Sequence, residues 1–137
     1  MVASDRRRNA GLALVAVAAL AAPLLAHAAE PMPHRVGQCV TTRIRAVTTR
    51  LEDGVTHQPE PGSGSAVKFT NGGYQVSYET IGAISRSRGG DRVRMCLVSI
   101  PQDCPAGDAR GREYRTTNLR TGQSWRLPDA EHGCGGA

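Results

Sequence analysis

The stretch Arg92–Cys104, RVRMCLVSIPQDC, is the most continuously apolar run outside the N-terminal leader and holds two of the four cysteines. In an extended chain Val93, Met95 and Leu97 fall on one face, with Arg92, Arg94, Cys96, Val98 and Ile100 on the other. The first half alternates and the second is apolar on both sides. That pattern describes a strand that starts at an exposed rim and ends covered on both faces. Pro101 stops it and the chain enters a cysteine-bearing loop.

The segments on either side read as further short strands. Downstream, Pro105–Asp108 with Gly111 makes a loop, Arg112–Asn118 a strand with Tyr114 inward, and Leu119–Gly122 a turn. Gln123–Leu127 returns, carrying Trp125, the single tryptophan, which is expected to pack in or beside the core. Upstream, Cys39–Leu51 is rich in Val, Ile and Thr, which favour strands over helices. Val40, Thr42, Ile44 and Ala46 share one face; Thr41, Arg43, Arg45 and Val47 share the other, with the two arginines in solvent. Ser65–Thr70 and Tyr74–Thr80 flank Asn71-Gly72-Gly73, a hairpin signal because Asn and Gly tolerate positive φ. On the second arm Tyr74, Val76 and Tyr78 oppose Gln75, Ser77 and Glu79. Ile81–Ser85 extends that strand or turns, and Arg86–Asp91 reverses the chain. Glu52–Gly64, with Pro59, Pro61, Gly62 and Gly64, is expected to be a long irregular loop. Nothing shows the periodicity of a helix of ten or more residues. The expected fold is all-β: a small antiparallel meander forming a barrel-like or sandwich domain, stapled by two disulfides, after an N-terminal signal peptide helix.

The leader carries Arg6–Arg8, an Ala/Leu/Val run over Ala10–Leu25, and Ala26-His27-Ala28 with small residues where signal peptidase reads. Residues 1–28 are therefore expected to be a signal peptide cleaved after Ala28, leaving 29–137 as one exported β domain, periplasmic or secreted, with no membrane span. Arg7-Arg8 hints at the twin-arginine route, but Asn9 and Ala10 stand where that signal has an apolar residue, and the sequence does not decide between it and the general route. Removing Arg6, Arg7, Arg8 and Asp5 from the 17 basic and 12 acidic residues leaves a net charge of +3. That is no nucleic-acid signature, which needs a concentrated basic face.

All four cysteines, Cys39, Cys96, Cys104 and Cys134, follow the leader, so an exported domain with a thin core is expected to pair them. Cys39–Cys96 with Cys104–Cys134 would join two strands and pin the tail. Cys39–Cys134 with Cys96–Cys104 also satisfies the count. The alternative of a metal site from Cys96, Cys104, His132 and Cys134 fails on spacing and compartment, so no metal is expected.

No catalytic set stands out. Ser124, His132 and Asp129 make a triad only on paper, without a Gly-x-Ser-x-Gly elbow. Asp103, Asp108, Asp129 and Glu131 offer a carboxylate pair only if their loops converge. Gly62-Ser63-Gly64-Ser65 lacks the lysine and the helix of a phosphate loop, and no cofactor is implied. The arginines are more suggestive. Arg86, Arg88, Arg92 and Arg94 crowd one turn and one strand start, and Arg110, Arg112 and Arg115 lie on the next strand. If those strands pair, one rim becomes guanidinium-rich and suited to phosphates, carboxylates or an acidic protein surface. The competing reading is a solvated face balanced by Asp91, Asp108 and Glu113.

The chain is similar in class to the periplasmic lysozyme inhibitors, which are also small, exported, β-rich and disulfide-bonded. However, Ser63-Gly64 is followed by Ser65-Ala66-Val67, without the aromatic their inhibitory loop implies. The expected function is a non-catalytic binding or structural module. Its partner would be an envelope or secreted protein or an anionic envelope polymer, met by Arg86, Arg88, Arg92, Arg94, Arg112, Arg115 and, on the 52–64 loop, His57. An inhibitor of a secreted lysozyme or protease is the alternative, followed by a small secreted hydrolase.

Overall fold

A computed structural model describes residues 30–136; the expected signal peptide lies outside the described residues. The elements are β1 (Cys39–Thr48), β2 (Ser65–Phe69), β3 (Tyr74–Ser77), the one-turn helix α1 (Gly82–Ser85), β4 (Arg92–Ser99), β5 (Glu113–Asn118) and β6 (Ser124–Pro128). They form one antiparallel sheet in the order β3-β2-β1-β4-β5-β6. The Arg92–Cys104 stretch supplies β4, an interior strand between β1 and β5. Val93, Met95 and Leu97 are buried in the core with Val40, Ile44, Val67, Phe69, Ile84, Tyr114 and Trp125. Its second half is less covered than expected: a register shift falls between Leu97 and Ser99, and Cys96, Val98 and Ile100 stay half-buried.

The sheet curls until its edge strands β3 and β6 meet. No ladder bridges that seam; one side chain does. Gln75, fully buried on β3, donates through Nε2 to the carbonyls of Tyr114 (2.8 Å) and Leu127 (3.1 Å). Its Oε1 accepts from the Thr116 hydroxyl (2.7 Å) and Trp125 Nε1 (2.9 Å). All four hydrogen-bonding positions of the amide are used, as a buried polar group requires. Trp125 is thus core packing with its N–H satisfied.

Three local expectations are corrected. Val47 packs against the core instead of sharing the outer face with Arg43 and Arg45, because a bulge between Ile44 and Ala46 shifts the alternation. In the 70–73 turn only Gly72 takes positive φ (87°); Asn71 instead accepts the Gly73 N–H on its side-chain oxygen. Ile81–Ser85 forms neither strand nor simple turn: α1 plugs the barrel end with Ile84, and Ile81 N–H is held by Ser65 Oγ. Gly64, at φ 113°, lies so close to β3 that a Cβ would strike the Ser77 carbonyl oxygen.

Both disulfides follow the strand-joining alternative, Cys39–Cys96 and Cys104–Cys134, and no free cysteine remains among the described residues. They fit an oxidising, extracytoplasmic compartment. No helix among the described residues is long and apolar enough to cross a membrane.

Candidate functional site

The outward side of β1, β4, β5 and β6 carries the strongest charge feature. Cross-strand register sets its rows. Arg43 lies opposite Arg92. Thr41 lies opposite Arg94, which lies opposite Thr117 and then Ser124. Cys39 lies opposite Cys96, followed by Arg115 and Arg126. Arg43, Arg45, Arg92, Arg94, Arg115 and Arg126 are all exposed, while their chain neighbours Ile44, Val93, Met95, Tyr114 and Trp125 are buried. The alternation of each strand therefore places guanidinium groups outside by the same pattern that builds the core inside.

Six ion pairs occur among the described residues, and none involves Arg43, Arg45, Arg92, Arg94 or Arg115. The Arg43 guanidinium donates to a backbone oxygen, Gly90 O at 2.9 Å. Arg126 is neutralised by Glu113, whose carboxyl this contact holds below its ordinary value. Like charges directly opposite on a sheet destabilise it, yet Arg43 and Arg92 are such a pair. The face is rich in hydroxyls, Thr41, Thr117 and Ser124, and holds no exposed aromatic ring.

The other rim arginines behave differently. Arg110 grips Asp108 with two hydrogen bonds (2.9 and 2.7 Å). Arg112, just ahead of β5, has its Nε buried without a hydrogen-bond partner. Arg86 donates to Gln123 Oε1 (2.7 Å), and Arg88 points to solvent 3.7 Å from Asp91. Asp91 itself is buried. It accepts a forked pair from Arg120 (2.7 and 2.8 Å), Asn118 Nδ2 (2.8 Å) and Arg88 N–H (3.0 Å). The Arg120 fork, with Asn118, holds its carboxyl far below the usual carboxylate range. This network fastens the 86–91 turn to the 118–122 turn. Arg86, Arg88 and Arg120 are thus structural neighbours of the face, and Arg43, Arg45 and Arg126 belong to it although the rim read from sequence left them out.

The 52–64 segment is more ordered than its composition predicts. Glu52 and Pro59 form a bridge, and Asp53 Oδ1 accepts from the Val55 and Thr56 N–H groups and the Thr56 hydroxyl. His57 sits in the left-handed region (φ 56°). Val55, 88% exposed, forms the tip of this small arm, with Leu51 and Tyr78 exposed nearby and Arg50 stacked on Tyr78. Glu52, Asp53 and Glu60 make the arm acidic, and no ion pair or hydrogen bond joins His57 to the arginine face.

Asp108 and Asp129 share an open hollow of about 630 Å³ with Ala106, Gly107, Ala109 and Arg110. Asp129 Oδ1 accepts the N–H groups of Gly111 and Arg112, and burial raises its carboxyl above the ordinary value. Arg110 holds Asp108 far below it. Asp108 has both oxygens committed to Arg110 and backbone N–H groups, so it makes a poor base or nucleophile. Ser124 bonds to Thr117, not to a histidine, so the paper triad is not assembled. No group of metal-ligating side chains converges among the described residues.

Fold and site together define a small disulfide-stapled antiparallel β domain with a cationic outer face. No family model, no curated protein and no solved structure matches the chain.

Proposed function

We propose that the exported chain is a non-catalytic binding module whose arginine face takes an anionic envelope polymer bearing phosphate or carboxylate groups. The observation that carries this is the Arg43–Arg92 cross-strand pair, flanked by Arg94 and Arg115, none of which forms an ion pair among the described residues. A sheet surface of this kind is stabilised by a bound polyanion and destabilised without one. Neighbouring strands about 4.8 Å apart, and same-face residues about 6.7 Å apart along a strand, present guanidinium groups at the spacing of a repeating anion. A protein partner fits less well, because protein interfaces concentrate their energy in buried aromatic anchors and this face exposes none.

The test is titration of purified protein with poly(glycerol phosphate) and with polygalacturonate at several salt concentrations. Affinity is expected to fall steeply with salt, and the combined variant Arg94→Gln/Arg115→Gln to bind at least about tenfold more weakly with a shallower salt slope. Arg43→Thr should weaken binding with little change in folding stability, since the like-charge pair it removes offsets the hydrogen bond lost to Gly90 O. Salt-independent binding, or preference for an acidic globular protein over either polymer, would count against the polymer.

A second reading rests on the 52–64 arm: a braced hairpin with Val55 at its tip has the form of a plug for a hydrolase cleft. Inhibition of a secreted lysozyme or protease, abolished by Val55→Asp, is expected on that reading. No inhibition at micromolar protein would dismiss it.

A further inference from the structure

We propose that the Cys39–Cys96 disulfide is a thiol–disulfide exchange site selective for anionic thiols, with the incoming thiol captured on Cys39. Cys39 and Cys96 are direct cross-strand partners on the outer face. Both are half-exposed, whereas Met95 and Leu97 beside Cys96 are buried. Arg115 stands directly opposite Cys96 on β5, and Arg94 lies two residues along β4 on the same side. Neither guanidinium has a carboxylate partner among the described residues.

Exchange is fastest when the leaving sulfur is stabilised as a thiolate and the attacking thiolate is drawn in. Both conditions hold here. The external thiolate attacks Sγ of Cys39, a new sulfur–sulfur bond forms there, and the Cys39–Cys96 bond breaks. The electron pair stays on Cys96, whose thiolate faces Arg115 and Arg94. A second external thiolate then attacks the captured sulfur. It leaves as part of a small-molecule disulfide, and both cysteines end reduced; two external thiols have been oxidised. Alternatively Cys96 returns to Cys39 and restores the original bond. The β1–β4 ladder from Cys39 to Arg43 joins the two strands independently of the sulfur bridge.

The second disulfide provides an internal control. Gly135, next to Cys134, donates its N–H to Asp108 (3.1 Å), and Arg110 is already committed to that carboxylate. With Arg110 neutralised in this way, that bridge offers an anionic thiol less than Cys39–Cys96 does.

The test uses the folded chain from residue 29, without polymer, so its outcome is separable from polymer binding. Protein is exposed to glutathione, which carries net negative charge, or to cysteamine, which is cationic. It is then quenched by alkylation and mapped by mass spectrometry. Cys39–Cys96 should open before Cys104–Cys134, with glutathione recovered on Cys39. Glutathione should outpace cysteamine by about tenfold at low salt, and the gap should close in high salt. Arg94→Gln/Arg115→Gln should slow exchange with glutathione several-fold and leave cysteamine unchanged or faster, while circular dichroism stays constant. Equal rates for the two thiols, first opening of Cys104–Cys134, or capture on Cys96 would each overturn the proposal. Polymer binding could persist in any of those cases.

Discussion

Gln75→Leu is expected to lower folding stability by about 3–5 kcal/mol. Leucine fills similar volume, so cavity formation contributes little. The cost comes from the polar groups left behind in a dry site. Trp125 Nε1 loses its acceptor, and the Leu127 carbonyl loses the side-chain bond that ties β3 across the seam. The Thr116 hydroxyl and the Tyr114 carbonyl lose one partner each. Each group stranded without a bond costs about 1–3 kcal/mol. Trp125 is the only tryptophan, so its fluorescence reports directly on this seam during urea unfolding. Thr116→Val removes one bond and should cost only about 1 kcal/mol. The double variant should be less destabilised than the sum, because the two changes share a bond. Additive losses would show that Gln75 does not tie β3 to β6.

The difference between the legible and the illegible parts of this fold lies in how local each cause is. Alternation in Arg92–Ser99 names the core residues of β4 correctly because each position depends only on strand period. The Cys39–Thr48 strand reads correctly as far as Ile44 and fails at Val47, where one bulge reverses the phase. Gln75 shows no warning in sequence. A glutamine opposite Tyr74 and Val76 resembles a solvent-facing residue, and its partners at Tyr114, Thr116, Trp125 and Leu127 become neighbours only when the sheet curls.

The arginine rim divides the same way. Pairing of β4 with β5 is anticipated from the two strands, and with it Arg94 and Arg115 on one surface. Of the arginines read from sequence, Arg88 and Arg110 meet Asp91 and Asp108, whereas Arg92, Arg94 and Arg115 form no ion pair among the described residues. Arg43 and Arg45 read as solvent-facing, yet only the β1–β4 register puts Arg43 against Arg92. Asp91, in Gly89-Gly90-Asp91, has the look of an ordinary turn residue; its burial follows from the docking of two turns distant in sequence.

Asp91→Ala should cost about 3 kcal/mol, and it should also change how stability responds to acid. The truncation leaves Arg120 without its fork, Asn118 Nδ2 with only Ser87 Oγ, and Arg88 N–H without an acceptor. Arg120 remains partly exposed and can turn to water, which keeps the loss at the lower end for a broken buried pair. The charged groups facing Asp91 are Arg120 and Arg88, both cationic. Its folded carboxyl is therefore held below its unfolded value, and the stability it contributes is complete above about pH 4. As pH falls below that, the unfolded state takes up a proton that the folded state resists, and the contribution drains away. Asp129 runs in the opposite sense: burial raises its carboxyl, so its ionised form opposes folding above about pH 4 and that penalty is relieved in acid. Unfolding free energy measured from pH 6 to pH 2 should thus fall in the parent chain, and less steeply in Asp91→Asn, which keeps the shape but cannot titrate. Asp129→Asn should do the reverse, gaining stability at pH 6 relative to pH 2. Identical acid slopes for the parent and Asp91→Asn would mean that the clamp between the two turns is not held by charge.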